Sequence, residues 1–169
     1  ENLTLTGTDP IDGTGNASDN VLTGNVASNT LDGLAGNDTL AGGFGADTYR
    51  FGRGYGQDVI QESDDGTQPV DRVLFAADTL PADVAVSGSG TDLVLSITGT
   101  TDRLTVAGYF SSLGAMVEEF RFADGTVWDD TVIAEKLSSG TAGNDFINGT
   151  AGNDFLNGLA GDDNINGQG

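Results

Sequence analysis

With 169 residues, 37% of them apolar and 27 of them glycine, the chain is long enough for one ordinary domain or two small ones but poor in core-forming side chains. Its 26 acidic residues stand against 6 basic ones, a net charge of −20. That balance argues against nucleic-acid or anionic-membrane partners, whose phosphates are neutralised by Lys and Arg. Histidine and cysteine are absent, which removes imidazole and thiolate ligands, disulfides and any Ser-His triad, so a bound metal must be a hard, oxygen-seeking ion.

No apolar run approaches the roughly 20 residues that span a bilayer, and no charged-then-apolar signal segment opens the chain. The first residues, Glu1 to Thr6, are strand-like, and the last, Gly167 to Gly169, stop inside a repeat, as expected of a fragment of something longer. Copies of a nonapeptide then follow at 15–23 and 24–32, with Asn20 and Asn29 at position six. Fuller copies run Gly33–Ala41 and Gly42–Arg50 and, after a slip at Phe51 and Gly52, Arg53–Gln61.

The middle of the chain, about 62–136, has no such ruler, and all six basic residues lie between Arg50 and Lys136. Its β-rich runs predict strands over Arg72–Ala76, Val84–Val86, Leu93–Ile97, Leu104–Ala107 and Val117–Phe122. A turn at Ala123-Asp124-Gly125 predicts a hairpin into Thr126–Trp128, and Asp129 or Asp130 can cap one short helix to about Leu137. The period of nine returns at Gly140–Asn148, Gly149–Asn157 and Gly158–Asn166. The expected architecture is all-β: solenoid blocks of parallel strands at 1–61 and 140–169 (truncated), flanking a small, mostly antiparallel β domain at 62–139 with one short helix.

Position eight of every copy is apolar: Leu22, Leu31, Leu40, Tyr49, Ile60, Ile147, Leu156 and Ile165. Three extended residues around it make a strand whose single inward side chain needs stacked neighbours to form a core. A Gly/Asn/Asp-rich linker has no reason to keep that phase. Glycines at positions one and four permit the positive φ of a tight loop, and the position-six aspartate closes it. Two nonapeptides return the chain to its starting side, so loops eighteen residues apart stack and share a gap lined by carboxylates and carbonyls. Calcium takes six to eight such oxygens at about 2.3–2.6 Å, whereas magnesium demands stricter geometry. Asp145 should then face Asp163, with Asp154 needing a loop beyond Gly169, and Asp38 should face Asp58 across the slip. Asn20 against Asp38 and Asn29 against Asp47 are expected to make weaker sites.

The repeat resembles the G-G-x-G-x-D-x-U-x pattern of RTX (haemolysin-type) calcium-binding proteins over about 15–61 and 140–169. The run Asp47–Phe51, Gly54-x-Gly56-x-Asp58-x-Ile60, Asp92–Leu95 and Phe122–Trp128 resembles the related domain that accompanies such repeats. The resemblance implies a calcium β-roll in a secreted bacterial protein, exported unfolded through a one-step (type I) channel and folding on several extracellular Ca²⁺ ions. It carries over the position-six aspartates Asp38, Asp47, Asp58, Asp145, Asp154 and Asp163, with loop carbonyls at Gly36, Gly45, Gly56, Gly143, Gly152 and Gly161. Ser18, Ala27, Asn20 and Asn29 depart from the pattern, so the first copies are expected to be a metal-poor cap of the solenoid.

No catalytic set is present, so the segment is not expected to be an enzyme. The aromatics read as core, with Trp128 the member best suited to a sugar platform, and the acid pairs Asp64-Asp65, Glu118-Glu119 and Asp129-Asp130 read as solvated surface. Two alternatives stay open: an adhesin or carbohydrate-binding segment with a glycan or cell-surface ligand, and the C-terminal secretion or stability part of a secreted hydrolase. An exposed roll end also leaves room for end-to-end self-association.

Overall fold

The computed structural model describes residues 1–63, 70–111, 116–139, 146–148, 156, 158 and 161–167. Two compact units result, Glu1–Trp128 and Asp129–Gly169. In the first, the strands in chain order are β1 (Asn2–Thr4), β2 (Gly13–Thr14), β3 (Val21–Thr23), β4 (Thr30–Asp32), β5 (Thr39–Ala41), β6 (Thr48–Phe51) and β7 (Gln57–Ile60). They continue as β8 (Arg72–Phe75), β9 (Val84–Ser89), β10 (Asp92–Ile97), β11 (Arg103–Val106), β12 (Glu119–Arg121) and β13 (Val127–Trp128).

Alternate strands go to alternate sheets. One sheet runs β1-β3-β5-β7-β11-β10-β9 and the other β13-β12-β8-β6-β4-β2. Pairing is parallel along β1 to β7 to β11 and along β2 to β8 to β12, so each coil of the chain adds one strand to each sheet. This is a β-solenoid, as the period of nine implies.

The register places the position-eight residues in columns. Leu22 lies against Leu40, Leu40 against Ile60, and Ile60 against Val106. In the facing sheet Leu31 lies against Tyr49, Tyr49 against Val73, and Val73 against Phe120. All eight are 0–1% exposed. Each such side chain contributes about 1.5–3 kcal/mol by leaving water, but only when the next coil covers it. A second column is aromatic: Phe75 stacks on Phe122 at 4.5 Å between ring centroids, and Phe122 meets Trp128 edge-on at 4.6 Å. Trp128 is only 3% exposed. It therefore presents no ring face for a sugar, which removes the best candidate for that role.

The expected boundary at residue 61 does not break the sheets. β8 and β12 extend one sheet, and β11 extends the other, in the parallel sense of the repeats. Antiparallel pairing is confined to the ends, where β9-β10-β11 form a meander and β12-β13 a hairpin. Backbone hydrogen bonding keeps the register whatever the length of the connecting loop, so coils continue after the fixed period has ended.

In the second unit Asp129 caps helix α1 (Asp130–Ser138), its carboxylate accepting the Val132 N–H at 3.0 Å. Strands β14 (Phe146–Asn148) and β15 (Asn164–Asn166) pair in parallel with Ile147 opposite Ile165, the eighteen-residue offset again. Ile147 is buried and Ile165 is 45% exposed. Asp145, Asp154, Gly143, Gly152 and the pair Asp64-Asp65 lie outside the described residues.

Candidate metal centre

The glycine framework differs at one position from the simple expectation. Position-four glycines do take positive φ, +137° at Gly36, +118° at Gly45, +96° at Gly56 and +130° at Gly161. Position one needs space instead: a Cβ on Gly33, Gly42 or Gly158 would collide with the carboxylate of Asp38, Asp47 or Asp163 respectively. The position-six side chain thus folds over the first glycine of its own loop. Gly56 also approaches the coil below, forming a parallel bridge to Gly36.

The position-six aspartates of the first unit are buried: Asp38 is 1%, Asp47 0% and Asp58 1% exposed. Each uses one oxygen to tie coils together. The Asn20 N–H donates to Asp38 Oδ1 at 2.7 Å, and the Asp38 N–H donates to Asp58 Oδ1 at 2.9 Å. A second ladder runs through the turns that enter the other sheet. There the Asn29 N–H donates to Asp47 Oδ1, the Asp47 N–H to Asp71 Oδ1 and the Asp71 N–H to Glu118 Oε2, each at 2.7 Å. Position five supports both sides: the Asn37 and Gln57 N–H groups donate to Asp19 Oδ1 and Asn37 Oδ1 at 2.8 and 2.9 Å on one, and the Ala46 N–H donates to Ser28 Oγ at 3.0 Å on the other.

The other oxygen is the one that matters chemically. Asp38 Oδ2 and Asp58 Oδ2 are buried and accept no hydrogen bond, and among the described residues no ion pair reaches either group. Burial pushes the Asp38 carboxyl up, against the Asn20 N–H that favours its charge, with Asp19 adding repulsion. Burial pushes Asp58 up to about 7, offset in part by the Asp38 N–H and reinforced by the charges of Asp38, Asp102 and Asp32. A carboxylate in that position attracts either a proton or a cation.

Three carboxylates converge on the other side. Ligand oxygens of Asp47, Glu62 and Asp71, all buried, lie within 4.8 Å of one another. Two ligands on opposite sides of one calcium are at most about 5 Å apart, so the three lie within reach of one shared ion. Sequence reading paired Asp47 only with Asn29 and missed Glu62, Asp71 and Glu118. Asp71 follows Asp47 by 24 residues rather than eighteen, so no fixed spacing reveals it. The described donor atoms are all oxygen, and together with the unsatisfied Asp38 and Asp58 oxygens they fit a hard divalent cation.

Asp102 shows what the same carboxylate does when the protein completes its bonding. It accepts the Gly54 and Gly56 N–H groups, both at 2.9 Å. Burial alone would raise its pKa, yet these two bonds and the Thr100 hydroxyl hold it below the ordinary carboxylate value. Asp102→Ala, which strands two loop N–H groups, is expected to lower stability by about 2 kcal/mol in chemical denaturation with calcium present. No loss would show that this loop is closed by something else.

Comparison with known sequences bears on which cation. Residues 14–49 and 139–169 match the family described as the RTX calcium-binding nonapeptide repeat. The flanks are RTX calcium-binding repeats. Residues 92–132 match the haemolysin-type calcium binding protein related domain. The chain is also 34% identical over 101 residues to the iron-regulated protein FrpA of Neisseria meningitidis serogroup C. That stretch is 57% of this chain and only 9% of that relative. Asp38 and Asp47 lie inside the matched RTX repeats, whereas Asp58, Glu62 and Asp71 do not. The related domain begins in β10 and ends in α1, so it contributes the last strands of the same two sheets.

Proposed function

We propose that this segment is a calcium-triggered folding and stabilising module of a secreted bacterial protein, itself without catalytic activity, that binds several Ca²⁺ ions outside the cell. The observation that carries the reading is the set of buried carboxylate oxygens between successive coils, in a chain whose flanks are RTX calcium-binding repeats. One ion is held between Asp38 and Asp58, and a second where Asp47, Glu62 and Asp71 converge, with loop carbonyls at Gly36, Gly45 and Gly56 completing the coordination. Extracellular calcium modules have Kd values of about 10⁻⁴–10⁻³ M, which keeps such sites empty inside a cell and filled outside. An unfolded chain can pass a type I secretion channel and then fold on arrival.

The test is calcium titration against a chromophoric chelator. Asp47→Asn together with Asp71→Asn is expected to weaken one class of sites at least tenfold, because ligand charge sets affinity, while leaving the Asp38–Asp58 site in place. Unchanged binding in that variant would remove the triad from the proposal, and no binding by the parent chain would remove calcium altogether.

A further inference from the structure

Two position-six residues are not acids. Asn20 and Asn29 are 3% and 2% exposed, as buried as the aspartates stacked on them. Their hydrogen bonding is different in kind. Asn29 Oδ1 accepts the Asn25 N–H at 2.8 Å, and Asn29 Nδ2 donates to the Ile11 carbonyl one coil earlier at 2.7 Å and to Asn25 Oδ1 at 3.1 Å. Asn20 repeats the pattern in its own loop, with Oδ1 accepting the Asn16 N–H at 2.7 Å and Nδ2 donating to Asn16 Oδ1 at 3.5 Å.

We propose that the Asn20 and Asn29 amides stand in for a cation, so that the first two loops close without metal while the acidic loops stacked on them require it. The inference rests on the calcium reading given above. A neutral amide carries an acceptor and two donors on one planar group. At Asn29 the NH₂ group points at two oxygens, the Ile11 carbonyl and Asn25 Oδ1, which a carboxylate could only repel. A cation would have to draw those same oxygens together if residue 29 were acidic. The contrast with Asp38 and Asp58 is direct, since each of these keeps a buried oxygen with no hydrogen-bond partner.

The arrangement has a consequence for the acidic sites. The backbone N–H groups of Asn20 and Asn29 donate to Asp38 Oδ1 and Asp47 Oδ1. The metal-free loops thereby hold one oxygen of each adjacent aspartate and orient the other. Coil assembly starts from a template that needs no calcium, and the first ions bind on its surface.

The test compares the calcium-saturated full chain with Asn29→Asp. Anomalous scattering from calcium-grown crystals is expected to show ions between Asp38 and Asp58 and at the Asp47 triad, and none within coordination distance of Asn20 or Asn29. Asn29→Asp is expected to bind about one further ion and to melt lower than the parent at limiting calcium, with the difference abolished at saturation. Asn20→Asp provides the same readout should Asn29→Asp fail to fold. An ion at either asparagine in the parent overturns the proposal, as does a folded Asp variant with unchanged stoichiometry and unchanged melting at every calcium concentration. Ions missing from the acidic gaps would instead sink the calcium reading beneath it.

Discussion

Chelation with EDTA is expected to take the chain from β structure to a largely unfolded state at neutral pH, reversibly and with a far-UV circular dichroism signature. The magnitude follows from mass action. At about 10 mM calcium and a Kd of about 10⁻⁴ M, each ion that binds only the folded state contributes about 2.7 kcal/mol. Two such ions, one between Asp38 and Asp58 and one at Asp47, Glu62 and Asp71, then supply about 5 kcal/mol, comparable with the whole stability of a small domain. Removing them also leaves buried carboxylates crowded together, those of Asp47, Glu62 and Asp71 within 4.8 Å of one another, and their mutual repulsion opposes folding. Magnesium at the same concentration should restore little, because it keeps its waters and demands octahedral geometry. A chelated chain with a full β spectrum and an unchanged melting temperature would refute the coupling of metal to fold.

Much of this architecture was legible because one physical requirement, a strand too short to own a core, repeats at a fixed interval. That requirement placed Leu22, Leu31, Leu40, Tyr49 and Ile60 inside and set Asp38 against Asp58, two residues late because of the slip at Phe51 and Gly52. The continuation of the solenoid was not legible, for an equally physical reason. Parallel strands pair through the backbone, so β8 can follow β6 and β12 can follow β8 whatever lies between. Coil length rises from eighteen residues between Asn29 and Asp47 to 24 between Asp47 and Asp71 and 47 between Asp71 and Glu118. With the period gone, Asp71 and Glu118 look like ordinary surface acids, and only their N–H partners reveal them as rungs. Glu118 was read as half of a solvated pair, yet it accepts the Asp71 N–H and continues the ladder. The reading of the asparagines as weakened ligands missed their donor side, because a sequence shows the loss of a charge but not the carbonyl that an NH₂ group reaches.

Acidity should act on the metal-free and calcium-bound forms in opposite directions, with Asp58 responsible for much of the effect. Its carboxyl is pushed up to about 7 from 3.8, so between those values the folded chain keeps a proton that the unfolded chain has lost. Stability then falls as pH rises through this window, by up to about 4 kcal/mol, and this group adds no further change above pH 7. Asp38, also raised, adds to the same slope, whereas Asp102, held low, acts only at more acid pH and in the opposite sense. The metal-free chain should therefore be most stable near pH 4–5 and partly recover there the structure it lacks at neutral pH. Calcium reverses the order, because an ion must displace the Asp58 proton and its apparent affinity drops by up to tenfold per pH unit below about 7. Thermal unfolding from pH 4 to 8 should give a melting temperature that falls with pH in EDTA and rises with pH at limiting calcium. Asp58→Asn, which keeps the shape but cannot titrate, should flatten the EDTA slope. A metal-free chain whose stability rises between pH 4 and 7, or an Asp58→Asn chain with the parent's slope, would show that Asp58 is already neutralised by a partner other than a proton or a metal.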